Sequence, residues 1–388
     1  MPEAAAKKGW TRVAFGDVVR QVRDRVDPGH TALERYVAGE HMDTDDLRIR
    51  RWGLIGDGYL GPAFHMRFKP GHVLYGSRRT YLRKVAVADF EGITANTTFV
   101  IESRNPKVLL PELLPFIMQT ASFHEHSIKQ SKGSVNPYIN FSDLTWYEFA
   151  LPTIEEQARI VGILHDVENT IESALRGASG TRTARKSLAR ELFTMDLSTM
   201  TRTLESVIQE SRYGPRFSSR LYDDQGSLAQ LRTTDIDEDG GINYRSIPRA
   251  RLDPAEFKEH LLRDRDVVIS RSGTTGITAL FRDHGTPTIP AAFLIRLRTT
   301  DVILPEYLHE YLSSALGRQM TASLSRGGVQ KNINGSQLLA QSIPCPEPAR
   351  QKFVVESVLS ARAAEEGMRT RFADLKDLRA VCIHGVLG

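Results

Sequence analysis

The residues with the clearest chemical potential are basic and aromatic side chains grouped in loops. In the first half they are Tyr75, Arg78, Arg79, Tyr81, Arg83 and Lys84, then Lys129, Lys132 and Tyr138. In the second half they are Arg271, Ser272, Thr274 and Thr275, then Arg326, Gln330, Lys331 and Asn332. Arg and Lys suit phosphates and guanine edges; Gln and Asn suit adenine edges. This chemistry marks Arg78, Arg79, Tyr81, Lys129, Lys132, Arg271, Thr274, Arg326, Gln330 and Lys331 as candidate DNA-binding residues. On composition alone, a merely solvated loop is an equal reading.

Patterns that would carry catalysis are missing. An adenine methyltransferase is expected to show a glycine-rich cofactor turn and an Asn/Asp-Pro-Pro-aromatic clamp for a flipped base. The nearest segment, Asn136-Pro137-Tyr138, is one proline short and reads as a plain turn. Gly273-Thr274-Thr275-Gly276 lacks the lysine of a phosphate loop. Asp237 with Glu256-Phe257-Lys258 could be joined into a nuclease trio, but the first half has no equivalent. His124-Glu125-His126 is the one close histidine pair, and positions two apart on a helix do not share a face. It reads as a solvated surface segment. The two cysteines, Cys345 and Cys382, are too few for a disulfide framework or a four-cysteine zinc site, and both read as structural. No catalytic residue and no metal ligand is expected.

Positioning these loops falls to elements that occur twice. Val73-Leu74-Tyr75 matches Val267-Val268-Ile269 at an offset of 194. Phe99-Val100-Ile101 matches Phe293-Leu294-Ile295, and Leu110-Pro111-Glu112-Leu113 matches Leu304-Pro305-Glu306-Tyr307, at the same offset. Ser131 to Val135 matches Ser325 to Val329, and Ile139-Asn140 matches Ile333-Asn334. At the front, Phe15 to Val19 aligns with Leu204 to Ile208 at 189. A repeated unit with a variable front and a fixed-length back is the pattern of a scaffold carrying loops that differ in specificity. Short strands are expected at Val73–Tyr75, Thr97–Ile101, Val267–Ile269 and Ala292–Arg296, and helices at Leu110–Ala121 and Leu304–Leu316.

Each unit ends in a long helical pattern. Thr153 and Glu156 form a capping-box signature. Apolar or small residues then fall at Ile160, Leu164, Val167, Ile171, Ala174, Ala178, Leu188 and Leu192, with Thr181 and Arg185 between them. Steps of four and three make a heptad seam. The same register at offset 194 gives Val354, Val358, Ala361, Glu365, Met368, Phe372, Leu375, Arg379, Cys382 and Val386. Two helices with matching seams are expected to pack as an antiparallel pair. Gly177 and Gly180 are weak points where the first could bend.

The chain has 388 residues, 40% of them hydrophobic and 25% charged, enough for two or three domains with real cores. The balance of 51 basic and 47 acidic residues, net +4, permits nucleic-acid binding without showing it. The start of the sequence lacks the apolar stretch of a signal peptide, and no apolar run approaches a membrane span. Cytoplasmic localisation is expected.

The layout resembles the specificity subunit of type I restriction–modification systems. The resemblance rests on Leu151-Pro152, Glu156-Gln157, Ile160-Val161 and Ile163-Leu164, on a variable region opened by Trp10 and Phe15-Gly16-Asp17-Val18, and on repetition of the arrangement. It covers nearly the whole chain. The second copy departs at Arg350-Gln351, where arginine stands in place of Glu156. The resemblance implies an α+β fold of two similar mixed α/β target-recognition domains, joined by two long antiparallel coiled-coil helices in a pseudo-twofold repeat. Expected boundaries are 1–150 and 200–345 for the recognition domains, and 151–199 and 346–388 for the spacer helices. It implies double-stranded DNA as a partner, each domain reading half of a split site. It also implies two methyltransferase subunits carrying S-adenosylmethionine, and optionally restriction subunits. This chain would itself be non-catalytic and hold no cofactor. Glu156, Gln157 and Gln351 are the expected partner-binding residues. A protein-binding scaffold and a self-contained DNA modification enzyme are the alternatives.

Overall fold

The computed structural model describes residues 9–324 and 332–387. The chain divides into two compact units. One runs to Ser173 and resumes at Arg371; the other is Ala174–Thr370.

In the first unit, strand Thr11–Ala14 pairs antiparallel with Glu148–Leu151, closing the front of the domain against its back. An antiparallel sheet follows, in the order Val19–Val22, Thr98–Ser103, Val73–Gly76, Val85–Val87. A second sheet is mixed: Gly53–Leu54, Arg35–Val37, Gly92–Ala95, Phe64–Phe68, with the middle pair parallel. Side chains alternate across a strand. Val73 and Tyr75 therefore enter a core with Phe15, Phe116 and Phe123, and Leu74 enters one with Met42, Phe68 and Val100. Both faces of this strand are buried, which is why it reads as an uninterrupted apolar run.

The second unit repeats the plan. Thr201–Thr203 pairs with Ser342–Pro344. The antiparallel sheet is Ile208–Tyr213, Leu294–Thr299, Val267–Ser270, Thr278–Leu280, beside a three-stranded sheet of Arg249–Ala250, Leu228–Leu231 and Thr288–Pro290.

The constant offset hides two compensating length changes. Val73 lies opposite Ile101, but Val267 lies opposite Leu297. The counterpart of Ile101 is thus Leu297, not Ile295. The second copy has two more residues between these strands and two fewer in the turn that follows. The buried position of Val100 is consequently filled by Arg296, 1% exposed. Arg296 lies 2.5 Å from Glu210 and donates to the Glu259 and Leu261 carbonyls, each at 2.9 Å.

The helices expected at Leu110–Ala121 and Leu304–Leu316 are each broken. The first becomes Leu114–Ile117 and Ala121–Lys129, because Thr120 is extended (ψ 150°) and its Oγ1 accepts from Phe123 N at 3.3 Å. The second becomes Pro305–Ser313 and Ala315–Leu324, with Ser314 extended between them (ψ 165°).

Two long helices span Ile154–Thr199 and Pro348–Leu387. Within each unit their segments run antiparallel. In the first, Glu168 meets Arg379 while Ile160 and Leu164 share a core with Ile383. In the second, Arg185 Nε lies 2.6 Å from Glu365 Oε2 while Phe193 packs with Val354 and Val358. Every predicted seam position is buried or half-buried. Gly177 does not interrupt its helix. It leaves room for Met368, whose Cε would lie 2.3 Å from an added Cβ.

Candidate nucleic-acid interface

The two candidate loops share one backbone frame. Ser77 N donates to Thr97 O at 2.9 Å, and Ile139 N to Ser77 O at 3.0 Å. Arg271 N donates to Phe293 O, and Ile333 N to Arg271 O, each at 2.8 Å. The next residue bridges to the neighbouring segment, Arg78 to Tyr138 and Ser272 to Asn332. The one after is left-handed, Arg79 at φ 51° and Gly273 at φ 78°. The same frame thus presents Ser77-Arg78-Arg79 in one unit and Arg271-Ser272-Gly273 in the other. A left-handed non-glycine residue costs roughly 1–2 kcal/mol. Arg79 bears that cost where the other copy uses glycine, the kind of strain found at functional sites.

In the first unit the loop borders a groove of about 560 Å³, lined by Gln21, Arg23, Arg78, Asn96, Tyr138 and Asn140 among others, with no carboxylate in the lining. Arg78 Cζ sits 4.9 Å from the centre of the Tyr138 ring. Tyr81 is exposed on the short turn Thr80–Leu82, and Lys129 is exposed on the last turn of its helix. Lys132 is engaged internally, its Nζ 3.0 Å from Asp143 Oδ2. Burial raises the Asp143 pKa, but the Lys132 contact and the Asn140 hydrogen bonds outweigh it and hold the carboxyl below its ordinary range.

In the second unit Arg271 Cζ lies 4.5 Å from the centre of the Tyr213 ring. The Tyr213 hydroxyl accepts from Gly335 N at 2.9 Å. Arg216 Cζ lies 5.8 Å from the centre of the half-exposed Phe293 ring. Thr274 is exposed, and its carbonyl accepts from Ser270 Oγ at 2.6 Å. Arg326, Gln330 and Lys331 lie outside the described residues.

Sequence reasoning missed Gln21, Arg23, Asn96, Asn140, Tyr213, Arg216 and Phe293. The signal available was positional. Gln21 and Tyr213 belong to the strands that open the sheet in each copy, and the repeat aligned only their starts.

The His124-Glu125-His126 reading needs correction. His124 is 3% exposed, with no hydrogen bond to either ring nitrogen. Burial, reinforced by Arg83, lowers its pKa to about 3. His126 is half-buried, its Nε2 2.8 Å from Asp143 O. Among the described residues no group of three His, Cys, Asp or Glu is placed to hold a metal ion.

Two of the three expected partner-binding residues, Gln157 and Gln351, also need correction. Gln157 and Gln351 are both 0% exposed. Gln157 Nε2 donates to Val108 O and Pro152 O, and its Oε1 accepts from Leu110 N, all at 2.9 Å. Gln351 Nε2 donates to Val302 O at 2.9 Å and Pro346 O at 2.7 Å, and its Oε1 accepts from Leu304 N at 2.7 Å. Each amide anchors a helix start to its own domain and offers nothing to a partner. Glu156 is half-buried and pairs with Arg159 at 2.6 Å. Arg350, in its place in the second copy, reaches Asp196 Oδ1 at 2.9 Å, beside the Tyr307 hydroxyl on Asp196 Oδ2 at 2.8 Å. Burial foremost, and then Asp196, push the Tyr307 pKa up.

Comparison with known proteins agrees with this plan. Residues 59–176 match the family described as the type I restriction modification DNA specificity domain. The type I restriction enzyme EcoDI specificity subunit of Escherichia coli is 24% identical over 182 residues, 46% of this chain and 39% of that protein. The chain therefore matches well under half the length of this curated relative. Likeness of fold extends further. A chain from a structure concerned with complex assembly and conformational transition of the type I R-M system is 20% identical, with a TM-score of 0.67 over 99% of this chain and 100% of the other. The S subunit of the M. genitalium type I system gives 14% and 0.54, and the HsdS subunit of Thermoanaerobacter tengcongensis 19% and 0.50, each over 100% of this chain and 98% of the other. Residues 59–176 thus carry a match to the type I restriction modification DNA specificity domain, and the twice-built scaffold shares its fold along its whole length with the solved type I S subunits.

Proposed function

We propose that the chain is the sequence-specific DNA-binding subunit of a type I restriction–modification complex. The observation that carries this reading is one backbone frame presenting different side chains in its two copies. A scaffold that repeats while its exposed basic and aromatic residues change is suited to reading two unlike half-sites. Phosphate contacts from Arg79, Lys129 and their neighbours would position the duplex, and base-edge contacts would select it. The long helices set the spacing between half-sites and dock two methyltransferase subunits, which carry S-adenosylmethionine and perform the chemistry. Restriction subunits join where the system has them. In this reading the chain selects and does not react, and it works in the cytoplasm.

The test is a methylome. The chain is expressed with its methyltransferase partner in a host free of DNA modification, and modified bases are sequenced. A split motif with N6-methyladenine in each half, dependent on this chain, is the expected result. Association with the methyltransferase without DNA binding or new methylation would favour a protein-binding scaffold. Methylation by this chain alone would make it a self-contained enzyme.

A further inference from the structure

We propose that Arg78 on Tyr138 and Arg271 on Tyr213 are guanine readers, one for each half of the target. The inference rests on the function proposed above and names the base that each loop selects.

A guanidinium over an aromatic ring uses its face for that contact. Its N–H donors lie in the plane and point elsewhere. Guanine offers two acceptors, O6 and N7, on its major-groove edge, and a bidentate arginine is the side chain that matches them. An arginine fork also matches a phosphate, but Arg79 and Lys129 already bring charge for the backbone to the first loop. The Tyr138 ring has a different effect: it restrains a long side chain before DNA arrives, which lowers the cost of a directional contact. The surroundings leave the donors available. Arg78 is exposed, and the groove beside it contains no carboxylate. Arg271 is half-buried, and its Tyr213 platform is fixed by the bond from Gly335 N.

The two pairs are not copies of each other. Arg78 holds the frame position of Ser272, and Arg271 that of Ser77. Tyr138 belongs to the segment after the helix pair, whereas Tyr213 ends the opening strand of its sheet. The arginines therefore start one residue apart in a common frame and lean on rings supplied by different segments of the repeat. Two such guanines fall at different places within their half-sites.

The experiment uses the full chain assembled with its methyltransferase and reads methylated motifs across a genome. Arg78→Lys keeps the charge and removes the bidentate fork. It is expected to relax one G·C position in one half-site, the preference there falling roughly 5- to 150-fold. The other half-site stays unchanged. Arg271→Lys is expected to do the same in the other half only. Tyr138→Leu leaves the arginine but not its platform, and should relax the same base pair as Arg78→Lys. A uniform loss of methylation with the motif intact would mean phosphate contacts and would overturn the proposal. An unaltered motif in both lysine variants would overturn it too, while leaving the subunit's role standing. If the wild-type complex assembles but methylates nothing, the role itself fails and the guanine assignment falls with it. Yield of the assembled complex separates these outcomes from misfolding.

Discussion

Gln157 and Gln351 stand 194 positions apart and make the same three hydrogen bonds, each joining the first turn of a long helix to a loop of its own domain. Both carboxamides are fully buried and use both of their polar atoms. A buried amide that loses such partners leaves orphaned backbone groups, at about 1–3 kcal/mol each. This explains why Gln follows two different residues, Glu156 and Arg350, in the two copies. The neighbour is free to vary with its local partner, whereas the glutamine is tied to backbone geometry common to both.

Gln157→Ala is expected to destabilise the first unit by about 2–5 kcal/mol, since it strands Leu110 N, Val108 O and Pro152 O. Hydrogen exchange should show lost protection around 108–110 and 154–160, with 302–304 unaffected. Equal loss in both units would show that the clamp is not local.

His124 predicts a pH dependence. Its folded pKa lies near 3, against an unfolded value of ~6.5. Between these values the unfolded chain binds the extra proton, so stability is full above pH ~6.5 and declines as pH falls toward 3. The decline approaches about 1.4 kcal/mol per pH unit within that window. Urea unfolding of the wild type at pH 7 and pH 5 should show it, and His124→Phe should flatten it. An identical slope in the variant would assign the effect to other groups.

Arg185 and Glu365 are charged residues in the two seams, and they pair at 2.6 Å with side chains 12% and 19% exposed. Either single leucine substitution leaves the remaining charge with only a more distant partner, Arg182 at 3.8 Å from Glu365 or Asp239 at 4.0 Å from Arg185, and should cost about 1–3 kcal/mol. The double leucine variant should recover most of that loss. Thermal melts of all four proteins test it, and strict additivity would mean that the pair is energetically idle.

The spacer role has its own test. Deleting one heptad from each long helix, in register, keeps the seam intact. The methylated motif should then have a shorter gap between otherwise unchanged half-sites. An unaltered gap in a complex that still methylates would remove the helices from spacing.

The sequence alone determined the repeat, the two long helices and their seam, because each depends on local spacing of apolar residues that survives without knowledge of contacts. It also marked Arg78 and Arg271, through residue type and loop placement. Only the tertiary structure could decide what each polar residue faces. Gln157 reads as a surface contact until burial and three bonds place it inside, and His124 reads as solvated until its helix turns it into the core. The offset of 194 concealed a two-residue insertion and deletion that cancel, and strand register was needed to set Arg296 in the place of Val100. The pairing of Arg78 with Tyr138, and of Arg271 with Tyr213, was beyond reach for the same reason. A ring beneath a guanidinium is a relation between distant segments, and no periodicity along one chain encodes it.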